Sequence, residues 1–222
     1  MMLYFLDTEF IEQPNTIDLI SIGIVSEDGR EYSAISSEYD SSKADDWVIN
    51  NVLTPMYKAY IETPEELSSE KESSESAEEI TVLNFHRYAG KPIEEIKQDI
   101  LNFVGFPDYD NGKPEFWGYY ADYDWVVFCW IFGKMIDLPE GFPMYCKDLK
   151  QVLDHTNIDK LPDPEGEHNA LVDARWNRDM YDKIEQSITD IDIIVKEQRK
   201  RNKKKKRDRL IPCPKRNNEK NK

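Results

Sequence analysis

Apolar residues are distributed along this chain in two kinds of pattern. Residues 3–7 are nearly all apolar, which predicts a short central strand. Residues 17–25 and 31–35 follow as two more strands, joined by a turn around Asp28-Gly29, a hairpin signal. Residues 45–60 are rich in aromatics and read as partly helical. Over residues 92–104 the spacing of Ile93, Ile96, Ile100, Leu101 and Val104 predicts a helix, with Pro92 at its start. Then come a strand over 115–120, a largely buried helix over 124–135 and a short strand at 144–147. Asp148 is placed to cap a helix that runs through Leu153. Residues 170–184 put Ala170, Ala174, Asn177, Tyr181 and Ile184 down one side of a helix, and a further helix carries Ile188, Ile191 and Val195. Three leading strands followed by alternating helix and strand predict an α/β fold, a mixed sheet with helices on both faces.

Composition bounds this picture. The chain has 222 residues, of which 39% are hydrophobic and 12% aromatic, enough for one real core, so wholesale disorder is excluded. Its net charge is −15, but the charge is uneven. Residues 199–222 hold 13 basic and 2 acidic side chains, whereas the first 198 residues hold 16 basic and 42 acidic. The domain is therefore expected over 1–198, with a disordered basic tail over 199–222 that is either simply solvated or holds nucleic acid. A Ser- and Glu-rich stretch at about 62–79 reads as a disordered acidic insert within the domain. The longest apolar run, residues 125–132, falls far short of the roughly 20 residues of a spanning helix, so no membrane is expected. No basic stretch precedes Asp7, so no signal peptide is expected. Three cysteines without a CxxC pair exclude a disulfide scaffold or zinc ribbon and point to a reducing cytoplasm.

Three constellations can carry chemistry. Asp7 and Glu9 lie at the end of the first strand, and alternation points both carboxylates to one face while Thr8 points away. A chain this acidic produces Asp-x-Glu by chance, and a second copy, Asp163 and Glu165, sits in a Pro-flanked loop where carboxylates hydrate freely. The first copy ends a buried strand, where an unpaired carboxylate is costly. The second constellation runs from Gly118 through Tyr119, Tyr120, Ala121, Asp122, Tyr123 and Asp124 to Trp125, a strand end followed by a helix start. An acid there also serves the helix dipole alone, and Asp122 competes with Asp124 for any further role. The third holds His168, Asn169 and Asp173. Five residues apart on one helix, His168 and Asp173 would diverge by about 140°. They converge if Asn169 caps the helix and His168 lies in the loop before it.

In this order and at these element boundaries, the three constellations resemble the DEDDh family of 3′–5′ exonucleases. Leu6-Asp-Thr-Glu-Phe-Ile-Glu, Leu19-Ile-Ser-Ile-Gly-Ile-Val, Tyr120-Ala-Asp-Tyr-Asp-Trp and His168-Asn-Ala-Leu-Val-Asp-Ala-Arg look most like its small bacterial and phage exoribonuclease branch, which includes the polyadenylate-specific exoribonuclease AS. The resemblance spans residues 3–184 apart from the acidic insert. It implies a ribonuclease-H-like fold, metal-binding acids at Asp7, Glu9, Asp124 and Asp173, and His168 as general base. It also implies a single-stranded RNA or DNA 3′ end as substrate, with RNA favoured by the branch, and it makes a homodimer one arrangement to consider. The family often has an Asn upstream of its aromatic-Asp pair, where this chain has Tyr119, Tyr120 and Ala121.

The chemistry of such a set is definite. Two like charges about 5 Å apart repel by roughly 3 kcal/mol at an effective dielectric of 20, so four gathered carboxylates would part or take up protons unless cations filled the site. Two divalent ions cancel the charge, oxygen-only ligands favour Mg²⁺ or Mn²⁺, and a two-metal site suits phosphodiester hydrolysis. His168 would take the proton of the attacking water, so activity is expected to fall as pH drops through about 6–7, and the products would be nucleoside 5′-monophosphates. Phe10 is a candidate for stacking on a base and Arg175 for holding a phosphate, with core packing and plain surface charge as the competing roles. A DNA exonuclease of the proofreading kind, or an inactive nucleic-acid-binding module, are the alternatives.

Overall fold

A computed structural model describes residues 1–62 and 79–209, with side chains through Lys203. Strand β1 is Met2–Gln13, β2 is Thr16–Ser26 and β3 is Glu31–Ile35. They form an antiparallel meander, and β4, Pro114–Gly118, adds to the other side of β1 in parallel, followed by β5, Lys147–Asp148. The sheet order is β3-β2-β1-β4-β5, so β1 is central, as its apolar run predicts.

β1 is longer than the sequence reading allows. Asp7 and Glu9 break the apolar run, yet the strand continues to Gln13 and returns through Pro14-Asn15 into β2, with Asn15 in the left-handed region at φ 68°. The carboxylates thus sit in mid-strand, braced on the β2 side. The pairing slips between Glu9 and Phe10, where Ile20 is the extra residue of a bulge.

The helices are α1 (Asp46–Val48) and α2 (Thr54–Glu62), linked by a wide helical turn at Ile49–Leu53, then α3 (His86–Ala89), α4 (Ile93–Val104), α5 (Asp122–Ile131), α6 (Leu149–Asp154) and α7 (Ala170–Arg209). Gly105, at φ 76°, ends α4 in the left-handed conformation that glycine adopts without strain. On one face of the sheet, Tyr4, Leu6 and Phe116 pack with Ile96 and Ile100 of α4 and Phe128 of α5. On the other, Phe5 and Trp117 meet Tyr181 of α7. The fold is therefore α/β, ribonuclease-H-like, with helices on both faces. No helix among the described residues is long and apolar enough to cross a membrane.

Contacts divide the chain into Met1–Tyr181 and Asp182–Lys222. In the second unit the described residues continue as helix to Arg209, where the charge pattern predicts two separate stretches, helix and then disordered chain from residue 199. Lys and Arg are good helix formers, so the basic run does not itself stop a helix. The remainder of the expected tail, residues 210–222, and residues 63–78 of the acidic insert lie outside the described residues. Beside the insert, the Tyr57 hydroxyl donates to the Ile80 carbonyl at 3.0 Å.

Candidate active site

Alternation along β1 sends Phe5, Asp7 and Glu9 toward α7, and Thr8 toward α5. The start of α7 is fixed from its own sequence: Asn169 Oδ1 accepts from the backbone N–H groups of Leu171 and Val172, each at 3.2 Å. His168 stands before the cap with φ 68°, and its backbone N–H donates to Asp173 Oδ2 at 2.9 Å. Loop and first turn therefore close on one another, as the capping argument requires. Buried Asn177, one turn on, donates to the Leu6 carbonyl at 2.9 Å and ties α7 to β1 just before Asp7.

Carboxylate oxygens of Asp7, Glu9 and Asp173 come within 4.8 Å of one another. They line a cleft of about 260 Å³ with Tyr119, Tyr120, Lys160, Glu167, His168 and Trp176. A larger hollow of about 400 Å³, over β2 and β3 beside residues 169–171, is lined mainly by apolar and hydroxyl side chains. Burial first, then the charges of Asp124, Glu9 and Asp173, hold the Asp7 carboxyl well above the usual carboxylate range. Burial, with Asp173, Asp124 and Glu167 nearby, pushes Glu9 up to about 8. Asp173 is raised by burial too, against the opposing pull of the His168 backbone N–H. An oxygen-only set that resists ionising in this way fits a divalent cation, whose charge would release the protons.

Asp124 is buried but is not one of the three gathered acids. Its Oδ1 accepts from Thr8 twice, from the backbone N–H at 2.8 Å and the hydroxyl at 2.7 Å. Burial raises Asp124 to about 6, with the Thr8 bonds opposing. It thus grips the residue between Asp7 and Glu9, and its charge is felt by both. The competing Asp122 is exposed in the first turn of α5. Asp148 caps α6 by accepting from Gln151 N–H at 3.0 Å, and also accepts from Ala121 N–H at 2.8 Å, which fixes the turn into α5.

Neither substrate-contact candidate lines the carboxylate cleft itself. Arg175 makes a two-pronged ion pair with Glu31, at 2.8 and 2.6 Å. Phe10 stacks on Tyr123 and lines a separate hollow of about 230 Å³ with Lys43 and Trp47. Sequence reasoning missed Trp47, whose indole meets the His168 ring edge-to-face at 4.8 Å, and Lys160, brought into the cleft by the loop before α7. The aromatic content of residues 45–60 was the sole signal for Trp47, and nothing local singles out Lys160.

This fold, with its acids and histidine converging from β1 and the start of α7, defines the class of DEDDh-type 3′–5′ exonucleases. The chain belongs to the family of Rv2179c-like 3′–5′ exoribonuclease domains, whose family model matches residues 2–185. It is 35% identical over 175 residues to the 3′-5′ exoribonuclease Rv2179c of Mycobacterium tuberculosis strain ATCC 25618 / H37Rv, covering 78% of this chain and 88% of the relative. The same figures hold for 3′-5′ exoribonuclease MT2234.1 of strain CDC 1551 / Oshkosh.

Proposed function

We propose that this chain is a divalent-metal-dependent 3′–5′ exoribonuclease that removes nucleoside 5′-monophosphates from the 3′ end of single-stranded RNA. The observation that carries the reading is the meeting of Asp7, Glu9 and Asp173 within 4.8 Å. It is joined by membership of a family described as 3′–5′ exoribonuclease domains. Two Mg²⁺ or Mn²⁺ ions would be held by these three acids, with Asp124 completing the set. When bound, such ions supply Lewis acidity to the attacking water and to the leaving 3′ oxygen.

The chain's own residues do the rest. His168 takes the proton of the attacking water through its imidazole. The bond from its backbone to Asp173 and the edge of Trp47 keep that ring at the cleft. Asp124, through Thr8, holds the backbone between Asp7 and Glu9 so that both carboxylates keep one direction. The base of the leaving nucleotide would lie in the hollow of Phe10 and Trp47.

The test is cleavage of 5′-labelled single-stranded RNA and matched DNA, with Mg²⁺, with Mn²⁺ and with EDTA. A ladder shortening from the 3′ end, 5′-monophosphate products, loss in EDTA and a preference for RNA are expected. His168→Ala should reduce kcat by about 10²–10⁴. Internal cuts, metal-independent cleavage or faster loss of DNA would overturn the reading.

A further inference from the structure

One wall of the carboxylate cleft takes no part in the chemistry above. Tyr120 is 63% exposed, and its ring meets Tyr119 edge-on at 4.8 Å. Tyr119 in turn meets Trp176 edge-on at 5.1 Å. Two ammonium groups ride on this ladder of rings. Lys150 Nζ lies 5.8 Å from the centre of Tyr120, and Lys160 Nζ lies 5.2 Å from the centres of both Tyr119 and Trp176. The wall is assembled from the turn before α5, the loop before α7 and α7 itself, and Lys150 of α6 flanks it at the Tyr120 ring. Trp176 is pinned there by its Nε1–H bond to the Pro162 carbonyl at 2.7 Å.

One exposed ring beside two half-buried ones, interleaved with cations, suits a ligand that offers flat π faces and regular negative charge, which describes single-stranded nucleic acid. Lys150 pairs with Asp154 and Lys160 with Asp163, but all four side chains are solvent-accessible. Such pairs are worth little and can be exchanged for a phosphate.

Chemistry also fixes which part of the strand belongs here. In cleavage from a 3′ end the leaving nucleotide carries only the scissile phosphate, which must sit at the carboxylates. Every further phosphate belongs to the 5′ side of the bond. A wall with two cations spaced along a ladder of edge-on rings therefore matches the retained strand, not the leaving nucleotide. We propose that Tyr120, Lys150 and Lys160 hold the nucleotides immediately 5′ of the scissile bond, Tyr120 by stacking on a base and the lysines by meeting successive phosphates. This rests on the nuclease reading above.

The test compares di-, tetra- and octaribonucleotides of mixed sequence. The variants are Tyr120→Asn, chosen because Asn tolerates the φ of 57° at this position, and Lys150→Gln/Lys160→Gln. In the unaltered protein kcat/KM should rise from dimer to tetramer. The lysine pair variant should lose about tenfold of that length advantage, chiefly through KM, because a dinucleotide offers no further internucleotide phosphate. Tyr120→Asn should instead raise KM about tenfold on every length, since a dinucleotide already presents a base 5′ of the bond, and Tyr120→Phe should restore it. An unchanged tetramer-to-dimer ratio in the lysine pair variant, or an unchanged KM in Tyr120→Asn, would overturn the proposal. A second arm measures anisotropy of a fluorescein-labelled octaribonucleotide on the Asp7→Asn form in EDTA. Weaker binding and a shallower salt dependence in the lysine pair variant are expected. Absence of cleavage with binding that depends on the wall would sink the nuclease reading and keep this surface. Cleavage with binding indifferent to the wall would do the reverse.

Discussion

Asp7 lies in the middle of a central strand and is crowded by acids, so its ionised form is disfavoured from two directions, by lost hydration and by like charge. Such a cost to stability is what a charge-bearing role at the proposed metal site would explain. Asp7→Asn keeps the shape and removes both penalties. It should reduce cleavage by 10²-fold or more while stabilising the metal-free protein by about 1–3 kcal/mol. Denaturation in EDTA alongside the rate measurement checks both, and a variant that lost stability would contradict the electrostatic account. At this scale the sequence was largely legible. Alternation alone paired Asp7 with Glu9, and a capping Asn brought His168 to Asp173. The bond from Thr8 to Asp124 was not, because the side chain that alternation sends away from the carboxylates reaches an acid 116 positions further on.

Among elements, the decisive contact is the seating of the first turn of α7 on β2. Gly23 pairs with Asp7 in the β1–β2 register, and a Cβ on it would fall 2.2 Å from the Ala170 carbonyl oxygen and 2.5 Å from Leu171 Cα. Only a glycine lets the helix that carries Asp173 come down beside the strand that carries Asp7 and Glu9. Gly23→Ala must lift that turn, since the clash is with backbone. The cost in stability should be about 1–3 kcal/mol. The loss in kcat should be larger, about 10²-fold, because the carboxylate triangle opens by an amount that catalysis does not tolerate. A variant with normal kcat and merely a lower Tm would show that the seating is structural alone. Periodicity revealed the face of α7 that packs, through Ala170, Ala174 and Asn177, but not what it packs on. The continuation of β1 past its acids was likewise hidden, because charged residues in a strand interior read as an end until the pairing strand is known. The loop that delivers Lys160 has no period at all, and long-range contacts such as the pinning of Trp176 at Pro162 fix its course.

For the whole molecule, the raised carboxyls couple folding to pH and, on the proposed function, to metal. In the unfolded chain Asp and Glu release their protons near pH 4–4.5. Folded, Glu9 holds its proton to about 8, Asp124 to about 6, and Asp7 well above its ordinary value. Across that window the folded state binds more protons than the unfolded one, so stability falls as pH rises from about 4.5 toward 8. A divalent cation bound at the proposed site would substitute for those protons, and its benefit would then grow with pH. In EDTA, Tm should therefore be highest near pH 5 and decline toward pH 8, and Mn²⁺ or Mg²⁺ should raise it more at pH 8 than at pH 5. The net charge of −15 contributes a slope of the same sign through general repulsion, so the comparison needs a control. Asp7→Asn/Glu9→Gln removes two of the acids but leaves most of the surface charge in place. If the site governs the coupling, this variant loses most of the pH slope and nearly all of the metal response. If surface repulsion governs the slope and the acids do not hold the metal, both the slope and the metal response survive in this variant, and the acids would not then be the metal site.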